Sequence, residues 1–312
     1  MLEELDLALI RAARRRIAAH VLRTPVLRVA PRPDLELLCK AESLQPTGAF
    51  KLRGAFSLMT TLPRATPGVV AHSSGNHAQA VARAARVLGL RAVVVMPDDA
   101  PAIKRARTEA DGAEVVVVGP ATELRARRAA EIAAERGFVP VPPFEHALVA
   151  AGQGTAALEL LEDAETLDAF YAPVSGGGLM AGCAVALHAL APRLEIVAVE
   201  PEGANDFALS FAAGARIPYG PPPHTIADGL RVRVGELTWP VLKTHVARVA
   251  LVSDEEMLAA MAFALRELRL VLEPSGAAAL AAALREGRGR CGVLLSGGNV
   301  DPALLARVQS GA

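Results

Sequence analysis

Short apolar runs alternate with stretches that repeat apolar residues every three or four positions. "GVVAHSS" precedes "NHAQAVARAARVLG", "RAVVVMP" precedes "PAIKRARTEADG", and "AEVVVVG" precedes "ATELRARRAAEIAAERG". The runs are β-branched and bounded by turn residues, so they predict buried strands. The periodic stretches predict helices that cover them. The rhythm resumes in "LDAFYAPVSGGG", "LMAGCAVALHALAP" and "LEIVAVEP". It returns in "VARVALVS", "DEEMLAAMAFALREL", "RCGVLLSGGN" and "DPALLARVQ". Repeated strand–helix units predict an α/β protein with mostly parallel, open twisted sheets flanked by helices. The proline-rich "PVPPFEHALVAAGQG" separates the two series and marks a crossing point between two units. Residues 68–145 are expected to form the smaller unit. The larger is discontinuous, from 1–67 and 146–312.

Composition narrows the function. The chain has 312 residues, is 52% hydrophobic and carries a formal charge of +0, so there is no basic stripe for nucleic acid. Aromatics are 4%, too few for base-stacking platforms. Cys39, Cys183 and Cys291 are scattered without a CxxC pair, which argues against disulfides and zinc. The N-terminal "MLEELDLALIRAARRRIAAH" mixes charge with apolar residues and reads neither as a signal peptide nor as a membrane span. A cytoplasmic protein with no membrane or nucleic-acid partner is expected.

The cations are unevenly divided: 29 arginines against four lysines, Lys40, Lys51, Lys104 and Lys243. Lys51 lies between Phe50 and Leu52 in "PTGAFKLRGAF". A desolvated amine can lose its proton and act as nucleophile or base, which a guanidinium cannot. "VSGGGLMAG" is a glycine-rich strand-to-helix turn whose converging N–H groups suit a monophosphate. It lacks the GK[ST] ending of a P-loop and the spacing of a dinucleotide site. "SSGNHAQA" opens a helix with groups that suit a carboxylate, and "LSGGNVD" places a serine at a strand end. A nucleophilic lysine, a phosphate cradle, a carboxylate loop and a neutral hydrogen-bonding serine together match the needs of pyridoxal 5'-phosphate (PLP).

At this point the chain resembles the fold type II PLP enzymes, tryptophan synthase β-like, in the branch of threonine dehydratases and serine racemases. "ESLQPTGAFKLRGA", "SSGNHAQA", "AGQGT", "PVSGGGLMAG", "TIADGL" and "SGGNVD" fall in the family's order from about Thr24 to Asp301. The resemblance implies that Lys51 takes the cofactor's aldehyde and Phe50 flanks its ring. Asn76 would bond the ring hydroxyl. Gly176, Gly177, Gly178 and Leu179 would bind phosphate, and Ser296 would face the pyridine nitrogen. Ser73, Ser74, Asn76 and His77 would hold the substrate carboxylate, with Ser74 also a catalytic group on the ring face opposite Lys51. Glu200, the carbonyl of Ala204, and Asp206 would bind Mg²⁺, Mn²⁺ or Ca²⁺. Where the family has a first glycine in the phosphate loop, this chain has Ser175, which would be strained if that position needs positive φ.

The implied activity is α,β-elimination on a small amino acid, giving 2-oxobutyrate from L-threonine or pyruvate from L-serine, with ammonia. Serine racemase is the alternative, and a non-catalytic PLP-binding protein a more distant one. A hydroxyaspartate dehydratase ranks lower, because no further arginine stands out for a second carboxylate. The family suggests a homodimer or homotetramer. No C-terminal regulatory domain is expected.

Overall fold

The computed structural model describes residues 5–310 except 74, 101, 120, 219 and 221, and the backbone alone of residue 122. Two sheets organise the chain. Helix α1 (Leu7–Ile17) starts at Asp6, whose side chain accepts the Leu9 N–H. Strands β1 (Val26–Arg32) and β2 (Leu35–Ala41) form an antiparallel hairpin, and α2 (Lys51–Met59) follows.

The chain then builds a four-stranded sheet. Its elements are β3 (Val69–His72), α3 (Asn76–Leu88), β4 (Ala92–Pro97), α4 (Ala102–Ala110), β5 (Glu114–Val118), α5 (Thr122–Arg136) and β6 (Val139–Pro140). Strand order is β5-β4-β3-β6, all parallel. Glycines at positive φ, Gly89 and Gly137, end α3 and α5, as left-handed caps require.

The remainder supplies α6 (Ala147–Asp163), β7 (Ala169–Pro173), α7 (Gly178–Leu190), β8 (Glu195–Pro201), α8 (Asp206–Ala213), α9 (Thr238–His245), β9 (Arg248–Val252), α10 (Asp254–Phe263), α11 (Pro274–Glu286), β10 (Gly289–Leu295) and α12 (Pro302–Ser310). These strands join the hairpin in a six-stranded sheet, β1-β2-β10-β7-β8-β9, parallel except for β1 at the edge. Sequence periodicity located β3–β5 and β7–β10. It did not mark the β1–β2 hairpin, and the second half of the proline-rich crossing is already the start of the 17-residue helix α6.

Helix α6 runs against α2 and α7. Its glycines permit backbone contact: a Cβ on Gly182 would lie 2.0 Å from the Ala150 carbonyl oxygen, and one on Gly154 would lie 2.5 Å from Gly182. Two apolar layers sandwich the large sheet, one including α6 and α7, the other α10 and α11. Beneath α2 lies a buried ionic cluster. Arg53 bonds Glu42 and Glu159, and Lys40 pairs with Glu159 at 2.6 Å. Among the described residues, no helix is long and apolar enough to cross a membrane.

Candidate active site

Parallel strands deliver their following loops to one edge of a sheet. Strand β7 is followed by the glycine turn and β10 by Ser296. Lys51 joins them because an isolated antiparallel bridge, Ala49 to Gly297, ties the entry of α2 to the end of β10. The Phe50 N–H donates to the Ser296 carbonyl at 3.1 Å. Local backbone pairing therefore sets Lys51 beside Ser296.

Lys51 Nζ donates to the Pro143 carbonyl at 2.8 Å and stands 5.1 Å from the centre of the Phe50 ring. Loss of hydration pushes its pKa down to about 8. The Gln153 amide donates to the same carbonyl at 3.3 Å. The next residue, Phe144, rests on the glycine turn. A Cβ on Gly176 would lie 2.4 Å from Phe144 Cδ1, and one on Gly178 would lie 2.8 Å from Phe144 Cβ. Gly177 has φ +92°, and a Cβ there would meet Thr238 Oγ1 at 2.7 Å. Thr238 Oγ1 donates to the Gly176 carbonyl at 2.7 Å. The turn is thus held from both sides while Gly177 caps α7 and Gly178 and Leu179 open it.

Ser175 is not strained, since its φ is not positive. Its hydroxyl donates to the Val232 carbonyl at 2.8 Å and accepts the Val232 N–H at 3.2 Å, anchoring a neighbouring loop.

Ser296 is buried, and its hydroxyl donates to the Ser275 carbonyl at 3.3 Å. The loop after β3 faces this edge from the other sheet. Ser73 Oγ accepts the Gly75 N–H at 3.2 Å. Buried His77 sets Nε2 2.8 Å from the Val141 carbonyl, which makes that nitrogen the protonated one. Burial first, then the charge of Lys51, push His77 down to about 3, so it stays neutral while sensing the Lys51 amine. Ser74, expected in this loop, lies outside the described residues. Asn76 is held by Glu273 at 2.5 Å and Asn299 at 2.8 Å.

Several residues at the site carried no assignment in the sequence. Pro143, Phe144 and Gln153 sit in the proline-rich crossing, whose composition announces only a turn. Glu273 is buried, and burial together with the charge of Asp228 pushes its carboxyl up to about 7. Lys104 of α4 pairs with Asp228 from "TIADGL", and Arg107 donates to Asn299 at 2.9 Å, both reaching from one sheet's side to the other's. Arg125 lies close enough to His72 to help depress its pKa, after burial.

The expected cation loop is more self-contained. Glu200, 1% exposed, accepts the Phe207 and Ala208 N–H groups at 3.2 and 2.8 Å, and Asp206 accepts the Val234 N–H at 2.8 Å. Burial raises both carboxyls, Glu200 well above the usual range, where the neighbouring Asp206 charge adds to the effect. Among the described residues, no group of three or more His, Cys, Asp or Glu side chains is placed to hold a metal.

The family model for "pyridoxal-phosphate dependent enzyme" matches residues 17–297. The chain belongs to that family. Among its PLP-enzyme relatives, an L-threo-3-hydroxyaspartate ammonia-lyase of Saccharomyces cerevisiae is 41% identical over 310 residues, covering 96% of this chain and 94% of that one. A serine racemase of Oryza sativa subsp. indica is 41% identical over 314 residues, covering 96% and 92%. Among solved structures, a threonine deaminase from T.th. superposes with a TM-score of 0.91 at 44% identity, covering 95% of this chain and 99% of that one. The site fits the family's cofactor: a depressed lysine amine adjoins a turn whose glycine Cα positions leave no room for side chains.

Proposed function

We propose that this PLP enzyme is an ammonia-lyase for small 3-hydroxy amino acids, with L-threonine and L-serine as substrates. One observation carries the reading most directly. Lys51 and Gln153 converge on the Pro143 carbonyl, and the adjoining Phe144 lies on the glycine turn, so amine and phosphate cradle are linked through one dipeptide. The 44% identity to a threonine deaminase supports it.

Bound PLP supplies the electron sink for the substrate's Cα bond. The turn from Gly176 to Leu179 offers N–H groups to the phosphate, and Ser296 a neutral hydrogen bond to the ring nitrogen. Residues 68–145 act as a smaller unit that brings Ser73, Ser74 and the backbone N–H groups of Asn76 and His77, at the start of α3, against the substrate carboxylate. Lys51 Nζ, its proton affinity lowered by burial, accepts the Cα proton. The β-hydroxyl leaves as water, and water returns on hydrolysis, so L-threonine yields 2-oxobutyrate and ammonia.

A second substrate, 3-hydroxyaspartate, is supported by the 41% identity to an L-threo-3-hydroxyaspartate ammonia-lyase. Glu200, the Ala204 carbonyl and Asp206 would take a divalent cation, whose charge relieves two carboxyls that burial disfavours.

The test is 2-oxo acid formation from L-threonine, L-serine and threo-3-hydroxyaspartate, with chiral analysis of recovered serine. Lys51→Ala should lose the visible absorbance and all 2-oxo acid production. Turnover surviving in that variant removes Lys51 from the mechanism. Racemised serine without 2-oxo acid would reassign the chain as a racemase.

A further inference from the structure

Glu273 has no part in the chemistry above, yet it is the most enclosed carboxyl among the residues around Asn76, 2% exposed. The chain reaches it through the π-helical turn Ala264–Leu268 and Arg269 at φ 58°, a conformation costly for a residue with a Cβ. Leu270 and Leu272 then bury, and Glu273 caps α11. Its N–H donates to the Gly297 carbonyl at 3.1 Å, and its carbonyl accepts the Gly276 and Ala277 N–H groups at 2.9 and 3.0 Å. A Cβ on Gly297 would stand 2.2 Å from Glu273 Oε1, so the glycine makes room for the carboxyl.

The side chain is equally committed. Oε1 accepts from Asn76 Nδ2 at 2.5 Å, while Oε2 has no partner among the described residues. Asn76 Oδ1 accepts from Asn299 Nδ2 at 2.8 Å, and Asn299 Nδ2 also donates to the Thr47 carbonyl at 2.8 Å. A carboxamide has one oxygen and two N–H donors. Asn76 has spent its oxygen and one N–H, so a single N–H remains.

We propose that Glu273 is a positioning residue for the cofactor ring, fixing the Asn76 amide so that an N–H, and not its oxygen, meets the cofactor's ring oxygen. The inference rests on the reading that places Asn76 at that oxygen. A donor there favours the ionised ring oxygen, since a hydrogen bond to the charged form stabilises it. Glu273 acts through Asn76 and handles no substrate proton.

The visible and near-ultraviolet bands of the purified holoenzyme report this directly. Glu273→Ala should lower the visible-to-near-ultraviolet ratio at least about twofold and weaken cofactor retention on dialysis about tenfold, the scale of losing a hydrogen bond to a charged partner. Glu273→Gln keeps an acceptor for Asn76 and should stay within about twofold of wild type by the same measure. Asn299→Ala should shift the band ratio in the direction of Glu273→Ala, and it carries the test if that variant does not fold. Wild-type bands and retention in Glu273→Ala, or in Asn299→Ala where it stands in, overturn the proposal. So does Glu273→Gln as damaged as Glu273→Ala. A wild-type protein with no visible band sinks the cofactor reading itself, whereas a normal wild-type band with unresponsive variants sinks this proposal alone.

Discussion

Arg53, two residues beyond Lys51 in the chain, meets Glu42 at 2.7 Å with neither side chain exposed. Burial alone would raise the Glu42 carboxyl, but the Arg53 guanidinium outweighs it and holds the group below the usual range. Arg53→Met would take from Glu42 its guanidinium partner, leaving the carboxylate only the Thr24 hydroxyl and the Gln45 amide. A loss of about 3–5 kcal/mol is expected, the scale of breaking one side of a buried pair, read as a shift in the urea midpoint.

Lys51 titrates at about 8, below the ordinary 10.5, so its amine is free above that pH and protonated below it. Cofactor recapture by stripped protein should accelerate as pH rises from about 7 to about 9 and then level off, because only the free amine attacks an aldehyde. Stopped-flow absorbance measures this, and a pH-independent rate would contradict it.

Glu273 titrates at about 7 in the folded chain against 4.5 for a free side chain. Between these values the native state binds more protons than the unfolded one, so this group's contribution to stability falls as pH rises from about 5 to about 7. Glu273→Gln cannot titrate there. Its stability relative to wild type should improve over that window, by up to roughly 3 kcal/mol for a fully buried group. Paired melts at three pH values suffice.

Gly182→Ala would drive a methyl group into the Ala150 carbonyl, 2.0 Å away. Helices α6 and α7 must then separate, and α6 carries Gln153 towards the Lys51 partner. A stability loss of about 3 kcal/mol is expected. Differential scanning calorimetry measures it, and a wild-type melting profile would show that the crossing is looser than described.

The proposed cation site at Glu200, the Ala204 carbonyl and Asp206 can be tested through stability. Mg²⁺, Mn²⁺ or Ca²⁺ should raise Tm, more at pH 8 than at pH 6, because the cation binds the ionised pair and competes with protons. EDTA should reverse it. A Tm indifferent to all three ions would leave the pair as a purely structural contact.

Much of the fold was legible because buried parallel strands are short β-branched runs, as "AVVVMP" and "EVVVV" are. The β1–β2 hairpin was not, since β1 lies at an edge, is only partly buried, and carries Pro31. The run "DEEMLAAMAFALREL" read as one helix, whereas α10 ends at Phe263 and a π turn follows, because the chain must turn at Arg269 to bury Leu270 and Leu272. Lys51 and the glycine turn stood out as chemically odd choices in their context. Glu273, Arg125 and the Pro143 carbonyl did not. A carboxyl, an arginine and a backbone oxygen gain meaning only from neighbours far away in the chain.

The Ala49–Gly297 bridge has a mechanical consequence. Lys51, Ser296 and the glycine turn all hang from the six-stranded sheet, while the loop from Ser73 to His77 hangs from the four-stranded one. Rocking one sheet against the other would therefore widen the entrance for an incoming amino acid while Lys51, Ser296 and the glycine turn keep their places relative to one another.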